Sequence, residues 1–450
     1  MSVIFHNIDR KNVKISTNVN DLVPENSLAR FIVNIIEKID ISPIENTYVK
    51  GGSKSYPPKM MLALLFYCYI NGINSSRKME QATFDLIPVI YITGGLHPDH
   101  DTINTFRKRF LDELNDVFVQ ILEIAHAEGI LNLKDISGDG TKILANASKH
   151  KAMSWKYACQ SEQKLISELD ALRQNPNPDE WNNGTDIDIE YEIKLREQRL
   201  KTVSEVKQEI EKRAADRHRE EMAEYNSKIE SRRIKEETTG KKIGGKKPSP
   251  PEPGPRDKDQ VNFTDPESRI MKIPDGDFGQ AYNAQTTVDM DTMLIVGNHV
   301  TANVNDKQEL VPALDELAKL PRLIGQPERG CFDNGFFSES NVTAMESRKV
   351  EPYIASGREP HTKSLEERFS PPPEPSGNPG PVQKLIHRLK TAEGRAFYAL
   401  RKSTVEPVFG IIKEIMGFRR FRLRGLEAVT GEWNLVCIAF NLKRLHPLMA

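Results

Sequence analysis

Cysteine is scarce and unpaired in this 450-residue chain: Cys68, Cys159, Cys331 and Cys437 stand far apart, with no CxxC and no regular spacing. That excludes a disulfide framework and a thiolate zinc site, and it fits a reducing cytoplasm. Long apolar runs are lacking as well. The longest, Met60 to Ile70, is too short to cross a bilayer, so no membrane association is expected. The opening stretch MSVIFHNIDRKNVKIS has no apolar core followed by a small-residue cleavage site, and a secretory signal is not expected. Charge of one sign is missing too, because 63 Lys and Arg stand against 64 Asp and Glu, leaving −1. The total neither suggests nor excludes nucleic acid; local distribution decides that.

What is present first is helix. Ser27 caps a segment in which Leu28, Phe31, Ile32, Ile35, Ile36 and Ile39 recur at helical spacing. A second helix is expected from Pro57-Pro58 through Met61, Leu64, Leu65 and Cys68 to Asn71-Gly72. A third, capped by Ser75, carries Arg77 and Lys78, and a fourth is expected to run unbroken from Asp101-Thr102 through Arg107, Lys108 and Arg109 to Gly129. Residues 1–130 are therefore expected to be an all-helical domain. Short turns between charged helices suit a helix-turn-helix DNA reader, and equally any small bundle.

After Gly129 the period changes to two in Lys134 to Ile143, the first expected strand. Residues 150–261 then read as an inserted charged helical hairpin, with a thin apolar stripe of Leu165, Leu169 and Leu172 against Ile193, Leu200, Val203, Val206, Ile210 and Ala214. NPNPDEWNNG breaks the two helices apart, and the flexible tract GKKIGGKKPSPPEPGPRDKD ends them. Strands are expected to return as a hairpin at Gly279 to Asp289 and Met293 to Thr301. A helix from Lys307 to Leu320, a strand ending at Asp333, a short helix, a strand at Val350 to Ala355, a Pro-rich loop at 370–381 and final helices follow. This order describes an α/β layered domain, 131–149 and 262–450, interrupted early by the insertion.

Three carboxylates stand at element edges beside turn residues: Asp139 between Gly138 and Gly140, Asp333 before Asn334-Gly335, and Glu406 before Pro407, which is expected to place it in the first turn of a helix. Lys413, seven residues on, is expected on the same side of that helix. Three convergent carboxylates need neutralising, and hard oxygen donors select Mg²⁺ or Mn²⁺, with two such ions suited to in-line phosphoryl displacement. Isolated acids near turns are otherwise ordinary caps. From Lys384 to Arg444 there are 13 basic against 5 acidic residues, a net +8, and Phe397, Tyr398, Phe418, Phe421 and Trp433 interleave with them as in a surface that grips phosphates and supports bases. The cluster His97-Pro98-Asp99-His100-Asp101 tempts a metal reading, but it precedes a helix, where Asp is a common cap.

With these residues in view, the chain resembles a DDE transposase of a bacterial insertion sequence. LVPENSLARFI, YPPKMMLALLFYCYINGINSSRKMEQA and HPDHDTINTFRKR resemble the N-terminal helical domain of such enzymes. DGTKILANAS, NFTDPESRIMK, GQAYNAQTTVD, DNGFF, SGREPH and the segment from EGRAFYALRKSTVEPVFGIIKEIMGFRRF to NLKRL resemble their catalytic domain. The resemblance implies a multidomain protein in which an all-α N-terminal domain accompanies a ribonuclease-H-like α/β catalytic domain. It implies that Asp139, Asp333 and Glu406 bind metal, and that Tyr398, Arg401 and Lys413 match a Tyr-Arg-Glu-Lys signature that holds DNA. Four residues separate Arg401 from Glu406 where relatives often have three, so Arg401 or Lys402 takes the arginine's place. Expected DNA contacts are Arg77, Lys78, Arg107, Lys108, Arg109, Tyr398, Arg401, Lys402 and Lys413, the first five as phosphate contacts. The implied function is binding of terminal inverted repeats, with metal-dependent cleavage and strand transfer into target DNA by a homo-oligomer. The alternatives are a metal-dependent nuclease without joining activity and a domesticated DNA-binding protein.

Overall fold

The computed structural model describes residues 18–48, 55–174, 188–240, 244–245, 247–273, 276–357, 370, 374–375, 377 and 379–449. They form two compact units, Met1–Asn146 with Met271–Ala450, and Ala147–Ile270. The second lies in the sequence between the two parts of the first. The helices expected to be a domain of their own therefore pack in one unit with the sheet.

The helical part comprises α1 (Val19–Leu22), α2 (Leu28–Lys38), α3 (Ser42–Glu45), α4 (Pro58–Ile70), α5 (Ser76–Asp85), α6 (Ile87–Thr93), α7 (His100–Arg109) and α8 (Leu114–Ala127). Ser27 caps α2 by accepting the Arg30 N–H, and Ala29, Ile32, Ile35 and Ile36 make its buried face. α4 is apolar all round and buried on most sides. Two expectations fail here. α6, rich in β-branched residues, was not expected as a helix, and Pro88 in its first turn starts it. The single helix expected from Asp101 to Gly129 is two: Phe110 leaves helical geometry after Arg109 and packs its ring 4.9 Å from Phe106 and 6.1 Å from Tyr48.

The sheet is built around β1 (Leu133–Leu144). β5 (Phe278–Asp289) pairs with it antiparallel on one side, and β6 (Ile295–Thr301) pairs antiparallel with β5. On the other side β7 (Gly325–Phe332) runs parallel to β1, and β8 (Glu351–Ile354) runs parallel to β7. β4 (Arg269–Lys272), of which Met271 and Lys272 belong to this unit, is hydrogen-bonded to β5 and was not expected. The β5–β6 hairpin, the central strand and the strand leading to Asp333 lie where the alternation predicts them. β7 pairs with β1 only as far as Gly138 opposite Phe332. Beyond that register β1 continues beside β5, and its other edge is bridged again at Leu144, to Arg420, so Asp139 lies where that edge of the strand opens.

Helices cover the sheet: α11 (Leu310–Ala318), α12 (Glu339–Ser347), α13 (Pro381–Lys390), α14 (Ala392–Ala399), α15 (Arg401–Gly410) and α16 (Leu426–Leu448), with one π turn at Ile411–Ile415 after α15. In the second unit, β2 (Ala152–Ser154) and β3 (Gln260–Asn262) form an antiparallel clasp below the hairpin of α9 (Trp155–Gln174) and α10 (Ile189–Thr239). Leu169, Leu172, Val203, Val206, Ile210 and Ala214 are buried, as the stripe predicts. The clasp itself was not foreseen, because three-residue strands carry no readable period. The end of the tract expected to be flexible is tied down: Arg217 pairs with Asp259 at 2.8 Å, and Arg256 pairs with Glu221 at 2.8 Å. The expected break at 175–184 lies outside the described residues, as do residues 371–373, 376 and 378 of the Pro-rich loop expected at 370–381.

Candidate active site

Three elements converge on the open edge of β1. Asp139 and Thr141 project from one face of the strand, and Gly138, Gly140 and Lys142 project from the other. Both glycines are needed for contact. A Cβ at Gly138 would lie 2.2 Å from the Phe332 ring, and one at Gly140 would lie 2.2 Å from Gln285 Nε2 and 2.5 Å from Asp306 Oδ1. Asp333 follows the last residue of β7, and its Oδ1 accepts the Gly335 N–H at 2.7 Å, which turns the chain away from the sheet. Tyr398, on α14, donates its hydroxyl to the Phe332 carbonyl at 3.3 Å and so fixes the residue that precedes Asp333.

α15 brings Glu406, though not as the sequence suggests. The helix begins at Arg401, so Glu406 is in its second turn and Pro407 is inside it. Proline favours a first turn because it lacks an N–H, but buried Val405, Val408 and Phe409 hold this helix across the missing bond. Arg401 lies between the carboxylates. It donates to Asp139 Oδ2 at 2.6 Å and to Glu406 Oε1 at 3.1 Å. Lys402 is exposed. Of the two, Arg401 is the one that contacts the carboxylates. Lys413, in the π turn, donates to Thr141 Oγ1, one side chain along β1 from Asp139.

Burial pushes the Asp139 carboxyl up from 3.8 to about 6; Arg401 pulls it down, the Asp333 charge pushes it up, the Gly140 N–H pulls it down, and the Asp306 charge pushes it up. Two carboxylates that feel each other this way invite a cation, and their oxygen donors fit Mg²⁺ or Mn²⁺. Glu406 is turned to Arg401 instead. Among the described residues, no group of three or more His, Cys, Asp or Glu side chains is arranged to hold a metal ion. Sequence reasoning missed Asp306, which reads as an ordinary polar residue ahead of a helix.

The remaining candidates divide by exposure. Arg77, Lys78, Lys108 and Arg109 are exposed, and Arg109 also lies over the Tyr48 and Phe110 rings. Arg107 has no charge to offer a phosphate: it is buried, donates to Tyr69 Oη at 3.0 Å and to the Asn74 carbonyl, and lies 4.0 Å from buried Glu432. The interleaved aromatics are also inside. Phe397, Phe418, Phe421 and Trp433 are core residues, so none of them is a base-stacking surface. Between them Arg419, Arg420, Arg422 and Arg424 remain exposed. The tempting histidines are satisfied within the fold: His97 stacks on Phe84 and contacts Thr83, His100 contacts Glu80, and Asp99 caps α7.

Residues 17–109 match a family described as "Transposase domain (DUF772)", and residues 379–446 match one described as "Transposase DDE domain". The two matches support a DDE-type insertion-sequence transposase. Tyr398, Arg401, Glu406 and Lys413 fall inside the second match, whereas Asp139 and Asp333 lie outside both. Neither a curated protein nor a solved structure matches the chain. No described helix is long and apolar enough to cross a membrane.

Proposed function

We propose that this chain is a transposase that binds the terminal inverted repeats of an insertion sequence, cleaves DNA at its ends and joins those ends to target DNA. The observation that carries this reading is Arg401 bridging Asp139 and Glu406 at the open edge of β1, with the Asp333 charge close enough to raise the Asp139 carboxyl. A central strand flanked antiparallel on one side and parallel on the other supports the ribonuclease-H-like arrangement that the resemblance implies.

Asp139 and Asp333, joined by Glu406, would hold the cation. Mg²⁺ or Mn²⁺, as two ions, would supply activation of water or of a 3′-hydroxyl and stabilisation of the leaving oxygen. The chain's own residues orient the rest. Arg401 balances the carboxylates and fixes their spacing, and its guanidinium suits a phosphate as well as a carboxylate. Tyr398 holds the end of β7, so that Asp333 faces the same edge as Asp139. Lys413 stands over Thr141, where an ammonium can meet a phosphate next to the one being cut. The exposed residues Arg77, Lys78, Lys108, Arg109 and Lys402 carry the sequence-independent part of DNA binding, together with Arg419, Arg420, Arg422 and Arg424. No side chain forms a covalent bond to DNA in this scheme. A homo-oligomer pairs the two ends in the cytoplasm, at the DNA.

The test uses the full chain, an end-containing duplex and a target duplex. Wild type is expected to cleave and join with Mg²⁺. Asp139→Asn, Asp333→Asn and Glu406→Gln are each expected to bind ends in Ca²⁺ and to lose cleavage to the detection limit. Cleavage without joined product would make the protein a nuclease. Binding without cleavage by wild type would make it a DNA-binding protein, and either result overturns the proposal.

A further inference from the structure

Asp306 follows β6 and approaches β1 from the face opposite Asp139. Its Oδ1 accepts from Asn283 Nδ2 at 2.7 Å, from Gln285 Nε2 at 2.7 Å and from Lys142 Nζ at 3.4 Å. Asn283 and Gln285 stand opposite Lys142 and Gly140 in the β1–β5 register, so all these groups share one face. The approach is possible because Gly140 has no side chain: its Cβ would lie 2.5 Å from Asp306 Oδ1. Asn283 is fully buried, and its Oδ1 has no partner, so this amide is turned to serve Asp306 at the expense of its own acceptor. The other carboxylate oxygen faces the Asp333 turn. A Cβ on Gly335 would lie 3.6 Å from Asp306 Oδ2 and 2.9 Å from Asp333 Oδ1.

We propose that Asp306 is a positioning residue of the same site, an outer carboxylate that acts through the bare backbone at Gly140 and the Gly335 turn to set how strongly Asp139 and Asp333 hold a divalent cation. This rests on the metal-dependent reading above. Asp306 touches neither DNA nor the reacting atoms. Its charge adds to the negative potential at the open edge of β1, and Lys142, which pairs with it, subtracts from that potential. The residue also ties the 302–309 loop to the sheet, and a purely structural role would consist of that tie alone.

Charge and scaffold separate by sign. Asp306→Asn keeps the size and an acceptor for the three donors but removes the charge, whereas Lys142→Met leaves the carboxylate and removes its counter-charge. Binding of Mn²⁺ to the intact chain is read without DNA, from the loss of the free-ion electron paramagnetic resonance signal. Asp306→Asn is expected to weaken Mn²⁺ binding about tenfold, the scale of an outer residue that supports a metal ligand, and Lys142→Met is expected to tighten it. Asp139→Asn is the control and should abolish the tight site. If Asp306→Asn binds Mn²⁺ as wild type does, or if both variants weaken binding together, Asp306 is a scaffold residue and the inference falls. If Asp139→Asn binds Mn²⁺ like wild type, the metal reading itself fails, which is a different result. Should Asp306→Asn not fold, Lys142→Met decides: unchanged or weakened binding overturns the charge role.

Discussion

The hairpin of the second unit and the sheet of the first hold their charges in opposite ways. Along the hairpin, Arg173 pairs with Glu197, Arg196 with Glu168 and Arg233 with Glu230, mostly in solvent. In the sheet unit, Arg107 and Glu432 are buried together with Tyr69, and Asp139 is mostly covered beside Arg401. Glu432 also accepts the N–H groups of Arg422 and Leu423, which fastens the turn before α16. Exposed pairs trade hydration for a weak attraction and gain little, whereas buried ones must be matched atom by atom. The difference marks which charges the fold depends on and which it merely tolerates.

The largest break in that contrast is expected at Arg107. Arg107→Met leaves Glu432 buried without its cation and should cost about 3–5 kcal/mol, read by urea unfolding of the full chain. A loss below about 1 kcal/mol would mean that the buried pair behaves like a surface one. A smaller effect, with a pH signature, is expected at Asp139. With its folded pKa raised from 3.8 to about 6, the carboxyl contributes stability below pH 3.8 that is lost as pH rises through about 6. Without divalent cation, Asp139→Asn should therefore gain on the wild type between about pH 4 and pH 7.5, by up to about 3 kcal/mol. A stability gap that does not move with pH would show that Asp139 is not held in this environment. The smallest effect belongs to the hairpin: Arg173→Met, which removes the 2.8 Å pair with Glu197, should change unfolding by less than about 1 kcal/mol, and less still at high salt. A larger, salt-insensitive loss would erase the distinction between the two units.

What the sequence revealed follows the same division. Alternation along β1, β5 and β6, and the glycines around Asp139 and Asp333, are local signals, and they located the strands and the acids at their edges. Arg107 was misread because a charged residue in the last turn of a helix looks solvated. Its partners are Tyr69, on another helix, and Glu432, more than three hundred positions away. Phe418, Phe421 and Trp433 were misread for the same reason, since exposed arginines alternate with them and only tertiary packing reveals which of the two faces inward. Pro407 misled through its usual preference for a first turn. Asp306 gave no local sign at all, because its importance depends on a Cβ that is missing from Gly140 on another strand.

The clasp of β2 and β3 has a consequence for how the chain assembles in time. Leu144 pairs with Ala281, yet the whole second unit lies between them in the sequence. Closing so long a loop from an unstructured chain is a search against entropy, and each halving of the loop lowers that cost by about 0.6 kcal/mol. Pairing Ala152 with Asn262 brings distant chain positions side by side using contacts internal to the hairpin unit. Once that unit has formed, the search that remains for the central pairing spans two short connectors. A hairpin unit that forms first would then serve as a kinetic splint, and the order of folding would run from the insertion to the sheet.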